Sequence, residues 1–394
     1  MAEQVQKLQG LDSATLTPLV RAALERDSIT VTEWQVVPLS SAASQNLGTS
    51  FGVFRLTGQA LDEDEALPWS LVLKIIGTTP GSSADDPASW HYWKREVWIY
   101  QSGILDHLPP GLKAARCIDI TEHSSHEFWA WFEDVQENVG RRWPLERYKL
   151  AGQHLGQFNG AYLAGEPIPK RPWLVPARTP SYLAIAKPVI ENLPQLATQP
   201  LGRRWFTPKQ VEQVLRQWER REPLLHALEQ LPRCFCHHDA NRRNLIARTA
   251  ADGSDETVAV DWAFTGTGAV GVDVSLTMAA SLRWMEVEAS QAHALDQAVF
   301  AGYLDGLRAA GWQGEEQLAR FGYTANAALF VGLGHIGLFL PRLLDETTWS
   351  NTEHIIGHPI EQVFAQYAEL QPFLLEVGEE AIALMAALGL DASE

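Results

Sequence analysis

Apolar and polar positions along this chain change period about a third of the way in. Leu11 to Arg26 places Leu16, Leu19, Val20, Ala23 and Leu24 on one helical face. Ile29 to Leu39 is β-prone, and Thr49 to Leu56 alternates as a strand does; the small polar stretch Ser40 to Gly48 between them predicts a turn. Gly58 to Pro68 is acidic and predicts a loop. Trp69 to Ile76 reads as an apolar strand interrupted by Lys74, and Ser89 to Ile104 as a strongly apolar helix. Ala114 to Ile120 and Glu127 to Phe132 predict two more strands. Helical spacing then dominates, over Leu145–Leu163, Lys209–Leu231, Ser275–Val287, Ala292–Ala310, Glu316–Leu344 and Ile360–Leu388. Gly165 to Pro208 carries nine of the 22 prolines, which excludes a long uninterrupted helix there. The expected fold class is α+β with two lobes, a β-rich one over residues 1–134 and a helical one over 135–394.

Composition narrows the function classes. The chain has 394 residues, 46% of them hydrophobic and 20% charged, an ordinary globular balance. No run of eighteen apolar residues predicts a membrane span, and the start MAEQVQKLQG lacks a signal-peptide core. Cysteines at 117, 234 and 236 make no disulfide framework, so a reducing cytoplasm is expected. Cys234-x-Cys236 reads as small core residues on a buried strand. The net charge of -17 argues against a nucleic-acid partner. From Thr265 onward there are 17 Asp+Glu against 4 Lys+Arg, net -13; the first 264 residues hold 31 against 27, net -4. That acidic half would attract a cationic substrate, or is a set of solvated helix faces.

The chemistry concentrates between Cys234 and Asp261. His237, Asp239 and Asn244 form H-x-D-x-x-x-x-N, followed by an apolar run to Arg248, a turn signal Asp-Gly-Ser-Asp, and a β-prone run from Thr257 that ends on Asp261. As a hairpin, the two runs set Asn244 beside Asp261. An amide oxygen and a carboxylate together suit Mg²⁺, which takes oxygen ligands and keeps several waters. Asp239, just before the hairpin, would accept a proton from an attacking hydroxyl. Upstream, a lysine within an apolar strand needs an anionic partner. Lys74 has two candidates, the phosphates of ATP and Glu96, and a Lys–Glu pair aimed at phosphate is a kinase arrangement. The loop Ser40–Gly48 would fold over nucleotide phosphates. Backbone groups around Phe132, Glu133, Asp134 and Val135, where the chain crosses between lobes, would meet an adenine edge. Asp273 would brace the loop that precedes it. A metal-dependent hydrolase built on His237, His238 and Asp239 is a weaker reading, because three consecutive residues rarely face one ion.

Taken in order, Lys74, Glu96, the motif from His237 to Asn244, Asp261 and Asp273 resemble the aminoglycoside phosphotransferase and choline kinase family, small-molecule kinases with a protein-kinase-like fold. The resemblance runs from about residue 30 to about residue 345. It implies that Lys74 holds ATP phosphates and Glu96 orients it. It implies Asp239 as catalytic base, Asn244 and Asp261 as Mg²⁺ ligands, His237 as a support of the loop and Asp273 as structural. The acceptor would be a hydroxyl of an aminoglycoside-like antibiotic, amino alcohol or sugar. A pseudokinase or nucleotide-binding regulator is the alternative. Relatives often carry Gly where this chain has His238, and Pro–Gly where it has Arg242-Arg243. Each arginine either reaches an anionic group in the site or pairs with an acid such as Asp273.

Overall fold

A computed structural model describes residues 2–39, 49–140, 142–175 and 177–391. The chain divides into two compact units, Met1–His107 with Ala114–Gln136, and Leu108–Lys113 with Glu137–Glu394. The expected turn at Ser40–Gly48 lies outside the described residues.

The first unit opens with α1 (Ala2–Gln9) and α2 (Ser13–Leu24), the latter capped by Asp12, whose side chain accepts the Thr15 N–H. Strands β1 (Ile29–Pro38), β2 (Ser50–Asp62) and β3 (Glu65–Gly77) follow. After the short helix α3 (Arg95–Gln101) comes β4 (Leu112–Ala114), whose Leu112 and Lys113 belong to the second unit. With β5 (Cys117–Ser124) and β6 (Glu127–Glu133), the first three strands make an antiparallel sheet in the order β1-β2-β3-β6-β5. Leu8, Leu16 and Val20 pack with Phe54, Leu56, Leu71, Leu73, Ile75, Trp129 and Trp131 in one buried cluster. Alternation along β3 therefore commits 69, 71, 73 and 75 to that core and turns Lys74 to the other face.

Two expectations fail in this unit. The acidic stretch Gly58–Pro68 is not a loop. It is a long hairpin, with Asp62 paired to Glu65 across a two-residue turn in which Glu63 takes φ 54°. Four consecutive acids mask the strand signal, and Arg26 neutralises one of them, Asp62, at 2.7 Å. The expected helix Ser89–Ile104 shrinks to α3. The buried Arg95 guanidinium donates to the carbonyls of Ser89 (2.7 Å) and Trp90 (3.0 Å), which a continuous helix would use internally.

The second unit contains α4 (Leu145–Leu163), α5 (Thr179–Glu191) and the single turn α6 (Leu193–Leu196). The expected helix Lys209–Leu231 is divided at Arg220 into α7 (Pro208–Glu219) and α8 (Arg221–Glu229). Strands β7 (Arg233–Cys236), β8 (Leu245–Thr249), β9 (Asp255–Ala259) and β10 (Gly266–Ala269) form a β10-β7 pair and a β4-β9-β8 sheet. Helices α9 (Val272–Arg283) and α10 (Ala292–Ala309) come next. The expected helix Glu316–Leu344 consists of α11 (Glu316–Asn326), a π-helical stretch Ala327–Gly334, and α12 (His335–Leu344). It is long and apolar enough to cross a membrane, but 78% of its most apolar window is buried, as in a core helix. The last two helices are α13 (Trp349–Ile356), absent from the expectations, and α14 (Ile360–Ala387).

Helices α4 and α10 meet through small residues. Gly152, Gly156 and Gly160 recur every four positions on α4 and face Gly302 and Gly306 of α10. A methyl group on Gly306 would overlap the Gln153 carbonyl oxygen and lie 2.8 Å from the Gln157 nitrogen, both backbone atoms that cannot swing aside. Gly306→Ala should therefore cost about 3 kcal/mol or force the helices apart. Gly332→Ala, which meets nothing nearer than 3.7 Å, should stay near neutral. Urea unfolding of the two variants checks this; equal midpoints would show that the seam is not close-packed.

Candidate active site

Strand β7 delivers the loop His237–Asn244 into the interior of the second unit. Both cysteines of β7 are fully buried, and burial raises the Cys236 thiol well above its ordinary pKa, so they are core residues. At the end of the strand His237 donates from Nε2 to the Val260 carbonyl (3.0 Å), and its Nδ1 accepts the Asp239 N–H (3.2 Å). Its ring packs at 4.5 Å on Trp262. Both ring nitrogens are thus used in holding the loop to the end of β9. His238 turns the opposite way, lies against Gly268 and adopts φ 61°. Burial, and then the nearby Arg178, push its imidazole down to about 3, so it is neutral. The three residues His237, His238 and Asp239 do not converge, which removes the basis of the hydrolase reading.

Asn241 caps the turn 242–244 by accepting the Arg243 N–H (3.0 Å) and donates to the Asp239 carbonyl (3.1 Å). Asn244 then donates its amide to the Asp239 carbonyl (3.0 Å) and to Asp239 Oδ2 (2.9 Å). With the nitrogen so engaged, the amide oxygen is left as the acceptor a cation would take. The expected hairpin forms, with Leu245 opposite Ala259 and Thr249 opposite Asp255. The Val260 N–H bonds the Asn244 carbonyl at 2.9 Å, so Asp261 follows directly beside Asn244. Asp261 holds φ 61° and ψ 60° and opens the turn Trp262–Phe264. An amide oxygen and a carboxylate on adjoining strand ends are an oxygen donor pair suited to Mg²⁺ with water and phosphate completing its shell.

Asp273 is fully buried at the start of α9. Its Oδ2 accepts the His237 N–H (2.9 Å) and the Asn159 amide (3.4 Å), and its Oδ1 accepts the His238 N–H (2.8 Å). Burial raises its pKa, while His237 and the donated N–H bonds pull the other way. It braces the loop carrying Asp239 rather than the segment 262–271 assigned to it from the sequence.

The arginine pair is likewise settled, with acids other than Asp273. Arg242 pairs with Glu137 (2.9 Å) and stacks on Trp143 (4.1 Å to the ring centre). Arg243 pairs with Glu286 (2.8 Å) and donates to the carbonyls of Trp284, Ile355 and Ile356. Both are spent on holding the second unit's framework around the turn.

In the first unit Lys74 and Glu96 pair at 2.5 Å, with both side chains largely buried. Phe132 and Glu133 lie in β6, where the Glu133 N–H is taken by the Arg116 carbonyl (2.9 Å). The Asp134 carboxylate is held by Arg55 (2.9 Å) and Ser70 (2.5 Å), so its side chain is structural; Val135 follows just beyond the strand.

Arg178 is a residue the sequence did not disclose. It sits just before α5, inside the proline-rich segment, 5% exposed. Its Nη1 contacts Asp239 Oδ1 (3.0 Å) and the His238 carbonyl (2.7 Å). Nothing local marks it, because the His238 carbonyl it bonds lies 60 residues away and Asp239 one further on. Asn159 and Tyr303 were also missed. Asn159 donates to the Phe235 carbonyl (2.9 Å) and accepts from the Tyr303 hydroxyl (3.0 Å), which in turn accepts the Gly271 N–H (3.0 Å).

A sequence profile of the phosphotransferase enzyme family matches residues 95–316, more than half of the chain. The chain belongs to that family. Membership carries the reaction class, that of a small-molecule kinase. No curated protein matches by sequence. Among solved structures, an amicoumacin kinase in complex with AMP-PNP, Ca²⁺ and Ami shares 16% identity, covering 96% of each chain with a TM-score of 0.52. A spectinomycin phosphotransferase in complex with ADP and spectinomycin shares 13% identity, covering 95% of this chain and 99% of the other, with a TM-score of 0.53. At these identities the likeness is one of fold, and the fold is kinase-like.

The site has an expected acid signature. His238 is neutral in the folded chain and would protonate near its ordinary value of 6.5 once unfolded. A lowered folded pKa gives stability that is present above pH 6.5 and lost as pH falls toward 3. Between pH 7 and 4.5 the loss from this residue should be about 2 kcal/mol. His238→Gln should flatten that part of the profile of urea midpoint against pH; an unchanged slope would show that His238 gains no proton on unfolding.

Proposed function

We propose that the protein transfers the γ-phosphate of ATP, with Mg²⁺, to a hydroxyl of a small molecule. The observation that carries the reading is Asp239 held by Asn244, with Asp261 on the adjoining strand end, in a chain of the phosphotransferase family. In this reading the acceptor hydroxyl gives its proton to the Asp239 carboxylate. Its oxygen bonds the γ-phosphorus as the bond from that phosphorus to the β,γ-bridging oxygen breaks, and ADP leaves. Asn244 and Asp261 would hold Mg²⁺, which neutralises phosphate charge when bound. Lys74, aimed by Glu96, would bind the phosphates within the first unit. The complexes of the two similar structures, one with AMP-PNP and the other with ADP, support nucleotide as donor.

The acceptor would be small and polar, and a cationic group on it would suit the acidic half of the chain. The net charge of -13 after Thr265 favours such a substrate through the field of the second unit. Aminoglycoside-like antibiotics, amino alcohols and sugars are the candidate acceptors. A cytoplasmic location would give such an enzyme its ATP. The pseudokinase alternative is not favoured, since Lys74, Asp239, Asn244 and Asp261 are all chemically competent.

A panel of hydroxyl compounds with Mg-ATP, read by mass for one added phosphoryl group, tests the acceptor. Asp239→Asn should reduce transfer by about 10²-fold or more while nucleotide affinity changes little. Near-normal turnover in that variant would falsify the base assignment. Asn244→Ala should weaken the Mg²⁺ dependence of nucleotide binding; an unaltered Mg²⁺ titration counts against the ligand assignment.

A further inference from the structure

Asp239 is held from two sides. Asn244 takes Oδ2, and Arg178 takes Oδ1. Asn244 belongs to the motif, whereas Arg178 comes from a separate segment of the second unit. We propose that Arg178 is a positioning residue for the catalytic base. This rests on the reading of Asp239 as the base.

Three observations separate it from an ordinary buried arginine. Asp239 is its one carboxylate partner among the described residues. The nitrogen that contacts Oδ1 also donates to the His238 carbonyl at 2.7 Å, so one guanidinium nitrogen, with its two N–H bonds, sets both Asp239 and the peptide before it. Nη2 donates to the Tyr182 hydroxyl (3.0 Å) and the plane lies 3.7 Å from the Phe264 ring centre, while Nε is buried with no hydrogen-bond partner among the described residues. Burial works against its charge, but Tyr182 and Asp239 hold its pKa above the ordinary value. A planar donor fork clamped on three sides fixes direction in a way a lysine cannot. A charged guanidinium cannot abstract a proton. Its work is to keep the Asp239 carboxylate from rotating, so that one orientation meets the incoming hydroxyl.

A cavity of about 370 Å³ gives access for a test. Its lining includes Arg178, His238, Pro180, Leu225 and Val272. A guanidinium ion is small enough to enter the space that Arg178→Ala would open. The reaction is followed as transfer to an acceptor from the panel above, or as Mg-ATP hydrolysis to water where none is found. Arg178→Ala should lower kcat about 10- to 100-fold with KM for Mg-ATP changed less than about twofold. Millimolar guanidinium should restore part of kcat, and urea at the same concentration should not. Arg178→Lys, which keeps charge without the fork, should fall between wild type and Arg178→Ala and covers the case in which the alanine variant fails to fold.

A purely structural role would lower kcat only with the folded fraction, read from the melting curve, and guanidinium would restore nothing. That result overturns the proposal, as does full activity in both Arg178 variants. Asp239→Asn run in parallel separates the two claims. If it is inactive while Arg178→Ala is fully active, positioning fails and the base stands. If Asp239→Asn is active, the base reading fails first.

Discussion

A single buried carboxylate sets the geometry of the second unit's chemistry. Asp273 has no exposure, and its two oxygens collect the backbone N–H groups of His237 and His238. Those groups would otherwise be unpaired at the end of β7, where the chain leaves the sheet. Removing the acceptor would strand two buried donors and release the loop. The arrangement is made rigid by Asn159, which bonds Asp273 and the Phe235 carbonyl, and by Tyr303, which ties Asn159 to the first peptide of α9 at Gly271. Three helices and one strand thus share one polar knot, and Asp239 projects from it.

The burial of that knot depends on close helix packing. Asn159 and Tyr303 come from α4 and α10, the pair that meets through glycines. If bulkier residues separated those helices, the Asn159–Tyr303 bond could not keep its 3.0 Å length. The seam of small residues is therefore part of the site's architecture, although none of its glycines touches Asp239. Position 238 carries a related cost. Its φ of 61° suits glycine, and the histidine there is tolerated because the loop is held by two N–H bonds and by Arg178 on its carbonyl.

The motif and the order of elements were legible in the sequence because they are local. Period-two alternation located part of β2, strand-like apolar stretches located β3 and β6, and helical spacing placed α4 at its observed ends, Leu145 and Leu163. The hairpin after Asn244 formed as its turn residues require. What failed was local signal overridden by charge or by a distant partner. Acidic residues concealed the β2–β3 hairpin, and Arg95 drew two carbonyls out of a helix that the apolar pattern favoured. Arg242 and Arg243 looked like candidates for an anion because the motif flanks them. Their partners, Glu137 and Glu286, stand 105 and 43 residues away, and no spacing rule connects them.

The same distance explains why Arg178 was invisible and why it matters. A short motif can supply a base, its amide neighbour and a turn, but it cannot by itself fix a carboxylate against rotation. That takes a group approaching from outside the loop, along a direction the loop does not control. Arg178 does this from a segment whose prolines keep it out of a long helix, with Phe264 beneath its plane and Tyr182 at its far nitrogen. The aromatic ring under the guanidinium belongs to the turn that follows Asp261, so the residue that grips Asp239 is seated on the segment that begins at Asp261. Asp239 and the Asp261 turn are in this way referred to one rigid group. A displacement of the Asp261 turn would be felt at Asp239 through Arg178, without any contact between the two carboxylates.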